Sequence, residues 1–173
     1  NPEMYDFFRI PEGSVVFDIG SQYGDYAVLW EKRFHAKVFA FELLEENFHE
    51  MLKNIALNRS NVKAFHTAVG DGGKIRFARR GNMASAHIND GEDPIEVETK
   101  RIDDFVRESG EMPDLVKIDV EGFELDVLKG MTETLERYSP YLIVETHSLA
   151  LRREVEQFLG QYSYTLRNAG RTV

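Results

Sequence analysis

The fold is decided by the stretch Val15-Val16-Phe17-Asp18-Ile19-Gly20-Ser21-Gln22-Tyr23-Gly24-Asp25-Tyr26-Ala27. It begins with a short apolar run rich in β-branched residues, which is the composition of a strand buried on both faces. Gly20 and Gly24 follow, and beyond them the apolar residues recur at helical spacing as far as Phe34. The stretch therefore predicts a strand, a glycine turn and a helix, the opening unit of an open α/β sheet. In such sheets ligands bind outside the carboxyl ends of the strands.

Strand-like runs alternate with segments of helical periodicity along the rest of the chain. This alternation predicts a doubly wound, mostly parallel sheet with helices on both faces. The segment from Leu125 to Leu135 predicts a helix that Gly130 interrupts. The strands predicted after the first are 37–41, 61–66, 115–120, 141–145 and 162–166, and residues 95–99 alternate as a half-exposed strand.

Two features interrupt this alternation between residues 68 and 94. The turn signal Asp71-Gly72-Gly73 lies between two short apolar segments, which predicts a hairpin pairing residues 68–69 with 74–77. The polar segment 79–94 predicts a long loop, and a loop of this length in a compact domain is usually functional or disordered. We expect this loop to lie on the substrate side of the domain, where His87 could reach a substrate.

Composition narrows the class of protein. A chain of 173 residues predicts one domain over 1–173, with residues 1–12 as an N-terminal extension. The net charge of −9 argues against a nucleic acid or an anionic membrane as the main partner. The absence of cysteine excludes disulfides and thiolate metal sites. The sequence contains neither an apolar run long enough to span a bilayer nor a signal peptide, so we expect a cytoplasmic protein.

The glycine turn indicates a nucleotide-containing cofactor. A nicotinamide-binding turn normally has a third glycine and holds a pyrophosphate, which the carboxylate of Asp18 would repel. The same carboxylate could attract the amino group or the sulfonium of S-adenosylmethionine. Glu42 lies about 20 residues past the turn, where an acidic residue can accept hydrogen bonds from ribose hydroxyls. In the alternative interpretation, Gly20 and Gly24 only form a tight loop and Glu42 is a solvated charge.

Three side chains at predicted strand ends could carry chemistry. Asp119 ends the fourth buried strand, Glu121 follows it, and His147 follows the next strand. These residue types suit general-base work on a hydroxyl. The alternatives are that the two acids stabilise a helix N-terminus and that the histidine is a surface residue. Carboxylates and an imidazole could also hold a divalent metal, but the sequence shows no tight ligand spacing, so we predict no metal.

Five motifs in order resemble those of one family, the FkbM-type S-adenosylmethionine-dependent methyltransferases. The resemblance extends over most of the chain, roughly from residue 13 to residue 160. One departure is Ser21-Gln22, where the family usually has Ala-Asn, so we expect the turn to form with side-chain contacts of its own. The motifs are Val16-Phe17-Asp18-Ile19-Gly20, Phe39-Ala40-Phe41-Glu42, Ala68-Val69-Gly70-Asp71, Thr99-Lys100-Arg101-Ile102-Asp103-Asp104-Phe105 and Lys117-Ile118-Asp119-Val120-Glu121-Gly122-Phe123-Glu124.

The resemblance implies a class I methyltransferase fold, S-adenosylmethionine as cofactor, and methyl transfer to a hydroxyl of a small molecule or sugar. It places Asp119 and Glu121 at the methyl-transfer site, and we add His147 as a candidate base. The alternatives from other classes are a nicotinamide-dependent oxidoreductase and a non-catalytic α/β binding module. The predicted cofactor-binding residues are Asp18, Gly20, Ser21, Gly24, Glu42, Leu43, Ala68 and Val69.

Overall fold

A central parallel sheet organises the computed structural model, which describes residues 10–79, 86–88 and 95–167. Its strands lie in the order β3-β2-β1-β8-β9, and all four neighbouring pairs are parallel. The order reverses at β1, which has β2 on one side and β8 on the other. The predicted doubly wound, mostly parallel sheet is therefore confirmed. The strands are β1 (Val15–Ile19), β2 (Lys37–Glu42), β3 (Lys63–His66), β8 (Leu115–Ile118) and β9 (Tyr141–Val144).

Two apolar cores cover the faces of this sheet. Successive residues of a strand point to opposite faces, so Val16 belongs to one core and Phe17 to the other. None of the helices in the described part of the chain has the length and apolar character needed to cross a bilayer. The helices are α1 (Asp25–Phe34), α2 (Glu45–Leu57), α3 (Ile102–Ser109), α4 (Glu124–Lys129), α5 (Thr132–Tyr138) and α6 (Leu149–Gly160).

A second, smaller sheet shows that the predicted hairpin is wrong. Its strands are β4 (Ala68–Val69), β5 (Lys74–Arg79), β6 (Ala86–Ile88) and β7 (Ile95–Lys100), in the order β4-β7-β5-β6. The strand β7 lies between the two segments that the turn signal suggested would pair. The turn is anchored on β7, because Gly72 N donates to Thr99 Oγ1 (3.1 Å) and that hydroxyl donates to the Gly73 carbonyl (2.9 Å).

The loop predicted over residues 79–94 is also partly wrong. Residues 86–88 form β6, which pairs antiparallel with β5. The side chain of His87 and the segments 80–85 and 89–94 lie outside what the structure describes, as do residues 1–9 of the predicted N-terminal extension.

The sixth strand predicted over residues 162–166 is absent from the described chain, which has turn and irregular structure there. Its two aromatic side chains, Tyr162 and Tyr164, pack against the core that contains Leu159 instead of extending the sheet. The hydroxyl of Tyr164 donates to the Pro140 carbonyl (2.9 Å), which fixes this segment beside the start of β9. The alternating apolar residues here pack against a core. Their two-residue period alone does not distinguish this arrangement from a strand.

The predicted break at Gly130 is confirmed and has a steric cause. Gly130 separates α4 from α5, and a Cβ at this position would lie 1.9 Å from the Gly70 carbonyl oxygen. The Gly130 carbonyl accepts from Asp103 N (3.1 Å). Close backbone contact at this position therefore joins the α4–α5 junction to the end of β4 and the start of α3.

We predict that Gly130→Ala destabilises the protein by roughly 1–3 kcal/mol, because the added methyl group must displace backbone. The measurement is the free energy of unfolding from urea denaturation. Gly160→Ala is the matched control, since a Cβ at Gly160 meets no atom of the described residues within 4 Å. Equal stability of the two variants would contradict the proposed backbone contact.

Candidate active site

A cavity opens at the carboxyl ends of β1, β2 and β8, where the strand order reverses. Its empty space measures about 570 Å³ when the open, solvent-filled side is counted. The apolar walls come mainly from the ends of β1 and β2 and from β4, and a few polar side chains are placed among them. The lining residues are Ile19, Gly20, Gln22, Phe41, Glu42, Leu43, Leu44, Asn47, Thr67, Ala68, Val69, Ile75, Asp119, Val120, Glu121 and Phe123.

Gly20 allows the turn after β1 to approach the end of β8 closely. Its φ is 76°, and a Cβ there would lie 1.8 Å from the Asp119 carbonyl oxygen. Gly24, with φ 75°, starts α1, and its missing Cβ makes room for the Met51 side chain of α2. Gly20 therefore shapes the cavity wall directly, whereas Gly24 allows two helices to pack.

The Glu42 carboxylate is held in the cavity wall at the end of β2. The residue is 5% exposed. Its Oε2 accepts from Gln22 N (2.8 Å), and its Oε1 accepts from Leu44 N (2.7 Å) and from Asn47 Nδ2 (3.4 Å). Burial raises the pKa of Glu42, and these hydrogen bonds only partly oppose the shift. The orientation of the carboxylate is therefore fixed by backbone of both the β1 turn and the start of α2.

A buried lysine joins the β1 turn to the end of β8. The Nζ of Lys117 lies 3.4 Å from Asp18 Oδ1 and 3.4 Å from Asp119 Oδ2, and it donates to the Gly20 carbonyl (3.3 Å). Burial lowers the pKa of Lys117, but the two carboxylate charges outweigh burial and raise the pKa above its ordinary value. We call this set of contacts the Lys117 bridge. It keeps a cation inside the protein and fixes the Asp119 carboxylate.

Asp119, Glu121 and His147 form a compact group beside the cavity. Asp119 Oδ1 lies 3.1 Å from His147 Nε2, and Glu121 Oε2 lies 3.6 Å from His147 Nδ1. The hydrogen bond with Asp119, aided by the charges of Glu121 and Glu124, outweighs desolvation and raises the pKa of His147 to about 9. Burial raises the pKa of Asp119, but His147 and Lys117 reverse this and lower it. The group can therefore hold positive charge, whether a proton or a metal ion.

The predicted site residues divide into two sets. The first set lines the cavity and consists of Gly20, Glu42, Leu43, Ala68, Val69, Asp119 and Glu121. His147 lies next to this set, because its side chain contacts Asp119.

Asp18, Ser21 and Gly24 do not line the cavity. Asp18 is 1% exposed, and its Oδ2 accepts from Ser21 Oγ (2.7 Å) while its Oδ1 faces Lys117. Its carboxylate is thus part of the scaffold. Because Lys117 already pairs with this carboxylate, Asp18 could attract the cofactor only at a distance, with its charge largely compensated.

Sequence reasoning missed three residues that shape the site. Gln22 and Asn47 contact Glu42, and their positions follow from turn geometry that the sequence pattern does not reveal. Lys117 could have been identified from the sequence, because a charged residue within an otherwise apolar buried strand is rarely tolerated without partners.

The family model described as the methyltransferase FkbM domain matches residues 18–170 of the chain. One similar protein is the hexuronic acid methyltransferase AglP of Haloferax volcanii, 33% identical over 154 residues that cover 87% of this chain and 63% of that protein. Another is the 2-O-methyltransferase NoeI of Sinorhizobium fredii, 32% identical over 71% of this chain and 59% of that protein. The chain thus spans about three fifths of the length of these two curated relatives.

Solved structures confirm the fold. A precorrin-6y C5,15-methyltransferase from Geobacter metallireducens matches with a TM-score of 0.64 at 15% identity, covering 95% of this chain and 71% of that one. The fibrillarin of Aeropyrum pernix, solved with S-adenosyl-L-methionine, matches with a TM-score of 0.59 at 14% identity over 93% of this chain and 61% of that one. The architecture is the class I methyltransferase fold, and the chain belongs to the FkbM methyltransferase family.

Proposed function

We propose that this chain is an S-adenosylmethionine-dependent methyltransferase that acts on a hydroxyl oxygen of a sugar or another small molecule. The observation that carries the proposal is the Glu42 carboxylate, which backbone N–H groups on both sides hold in the wall of the cavity. The names of two relatives, one a hexuronic acid methyltransferase and one a 2-O-methyltransferase, support a sugar acceptor. A nicotinamide-dependent oxidoreductase is disfavoured by membership of a methyltransferase family.

The residues present suit the proposed cofactor. Glu42 offers anionic acceptor oxygens of the kind that bind ribose hydroxyls. Ala68, Val69 and Phe123 offer apolar wall for an adenine ring, and Asp119 supplies negative charge near the glycine turn. When bound, S-adenosylmethionine supplies a methyl group already activated by its sulfonium.

The remaining work for the protein is to align the acceptor oxygen and to remove its proton. Asp119 is the best placed of the three candidates, because its carboxylate lines the cavity and is held by Lys117 on one side and His147 on the other. Glu121 lines the same part of the cavity, and its φ of 53° is an uncommon conformation for a residue other than glycine. Such backbone positions are often kept where a side chain must be aimed at a ligand.

We predict that Glu42→Ala weakens binding of S-adenosylhomocysteine by about 10- to 100-fold, the loss expected for hydrogen bonds to a charged group. The measurement is calorimetric titration, with NAD titrated in parallel. Glu45→Ala is the matched control, because Glu45 is an exposed glutamate in the first turn of α2. Equal affinity in the two variants would remove Glu42 from the cofactor site, and binding of NAD alone would overturn the proposed chemistry.

We predict that Asp119→Asn lowers the rate of methyl transfer by about 10²- to 10⁴-fold, because the variant cannot accept the hydroxyl proton. The assay follows transfer of a labelled methyl group to a hexuronic acid. Asp126→Asn is the control, since this α4 aspartate pairs with Lys129 on the surface. The affinity for S-adenosylhomocysteine, measured on the same samples, separates loss of chemistry from loss of fold. Unchanged turnover would refute the role of Asp119, and a non-catalytic binding module predicts no turnover even in the wild-type chain.

A further inference from the structure

The group formed by Asp119, Glu121 and His147 combines ligand atoms from two different strand ends. The two acids follow β8, whereas the histidine follows the neighbouring strand β9. Each residue offers one nitrogen or oxygen atom, and these atoms all lie within 4.8 Å of one another. Ligand atoms this close together are compatible with one shared ion, for which the usual coordination distance is about 2.0–2.2 Å.

A fourth side chain points independently to a cation at this position. The Glu124 side chain is fully buried, and its Oε1 lies 3.9 Å from His147 Nε2. That oxygen accepts from Val120 N (3.2 Å) and Gly122 N (3.1 Å), while Oε2 is buried and has no hydrogen-bond partner among the residues that the structure describes. Leaving a buried carboxylate oxygen unpaired is unfavourable. A metal ion held by the neighbouring ligands, or a water molecule bound to that ion, would satisfy it.

The local charge balance favours the same conclusion. The Lys117 bridge already engages Asp18 and one oxygen of Asp119. Among the described residues, the remaining Asp119 oxygen, Glu121 and Glu124 face one further cation, His147, so the carboxylates outnumber the positive charges even when the imidazole is protonated. Buried charges of one sign need a compensating partner. A divalent cation would provide that compensation.

We propose that Asp119, Glu121 and His147 form a binding site for one divalent transition-metal cation beside the cavity. Two carboxylates and one imidazole are ligands that Mn²⁺ and Zn²⁺ both accept, and three protein ligands leave positions open for other molecules. The site departs from the sequence-based expectation of no metal, because its ligands become neighbours only through strand pairing. Its catalytic use rests on the proposed function: a cation here would hold the acceptor hydroxyl and make its proton easier to remove. Asp119 would then contribute by holding the cation and not by accepting the proton itself.

The test uses untagged, chelator-treated chain titrated with MnCl₂ or ZnCl₂ alone, followed by calorimetry and, for Mn²⁺, by electron paramagnetic resonance. The expected result is saturable binding of one ion per chain. Glu121→Gln and His147→Ala should each weaken binding by at least about tenfold, the lower end of the effects seen around metal sites. The side chains of Glu121 and His147 are 22% and 35% exposed, so these variants should fold. His49→Ala, at an exposed position of α2, is the control and should bind as the wild type does.

Absence of saturable binding of either metal at millimolar concentration would overturn the proposal, as would binding that both variants retain. A separate titration of the metal-free chain with S-adenosylhomocysteine keeps this result distinct from the proposed function. Metal binding without cofactor binding would uphold the metal site and count against the methyltransferase proposal. Cofactor binding without metal binding would support the methyltransferase proposal and overturn the metal site.

Discussion

The Lys117 bridge is the interaction on which the arrangement of the site depends. A lysine inside a buried strand is strongly unfavourable unless its charge is compensated and its protons are accepted. Asp18, Asp119 and the Gly20 carbonyl meet both requirements, and they lie in or directly after the neighbouring strands β1 and β8. The same ammonium group therefore fixes the glycine turn after β1 and the carboxylate at the end of β8. The cofactor side and the acceptor side of the cavity share one anchor.

Backbone contacts position the remaining parts of the site. The missing side chain of Gly20 lets the β1 turn touch the end of β8, and the amides of Gln22 and Leu44 converge on Glu42. Parallel pairing of β8 with β9 then brings His147 next to Asp119. Each contact is made by the segment that follows a strand, so the register of the sheet determines the positions of the functional side chains. This explains how a site with acids from two strands and a histidine from a third can form without any close sequence motif linking them.

Regular structure was predictable where one physical signal dominated. Short apolar runs predicted β1, β2, β8 and β9, and helical periodicity predicted the main helices. The hairpin prediction failed because a turn signal specifies a change of direction, whereas pairing of β7 with both β4 and β5 is a long-range choice. The strand predicted around Tyr164 failed because apolar alternation also suits packing against a core. The spacing from the glycine turn indicated Glu42, and the family resemblance indicated Ala68 and Val69. The sequence alone did not reveal that Lys117 pairs with Asp18.

The most direct test of this account is a double-mutant cycle of Asp18→Asn and Lys117→Met, with the free energy of unfolding measured by urea denaturation. The account predicts that Lys117→Met alone costs about 3–5 kcal/mol, because it leaves buried carboxylates uncompensated. It also predicts that the double variant loses less stability than the sum of the single variants, with an interaction energy of about 0.5–3 kcal/mol. Additivity within about 0.5 kcal/mol would contradict the claim that this ion pair joins the two strand ends.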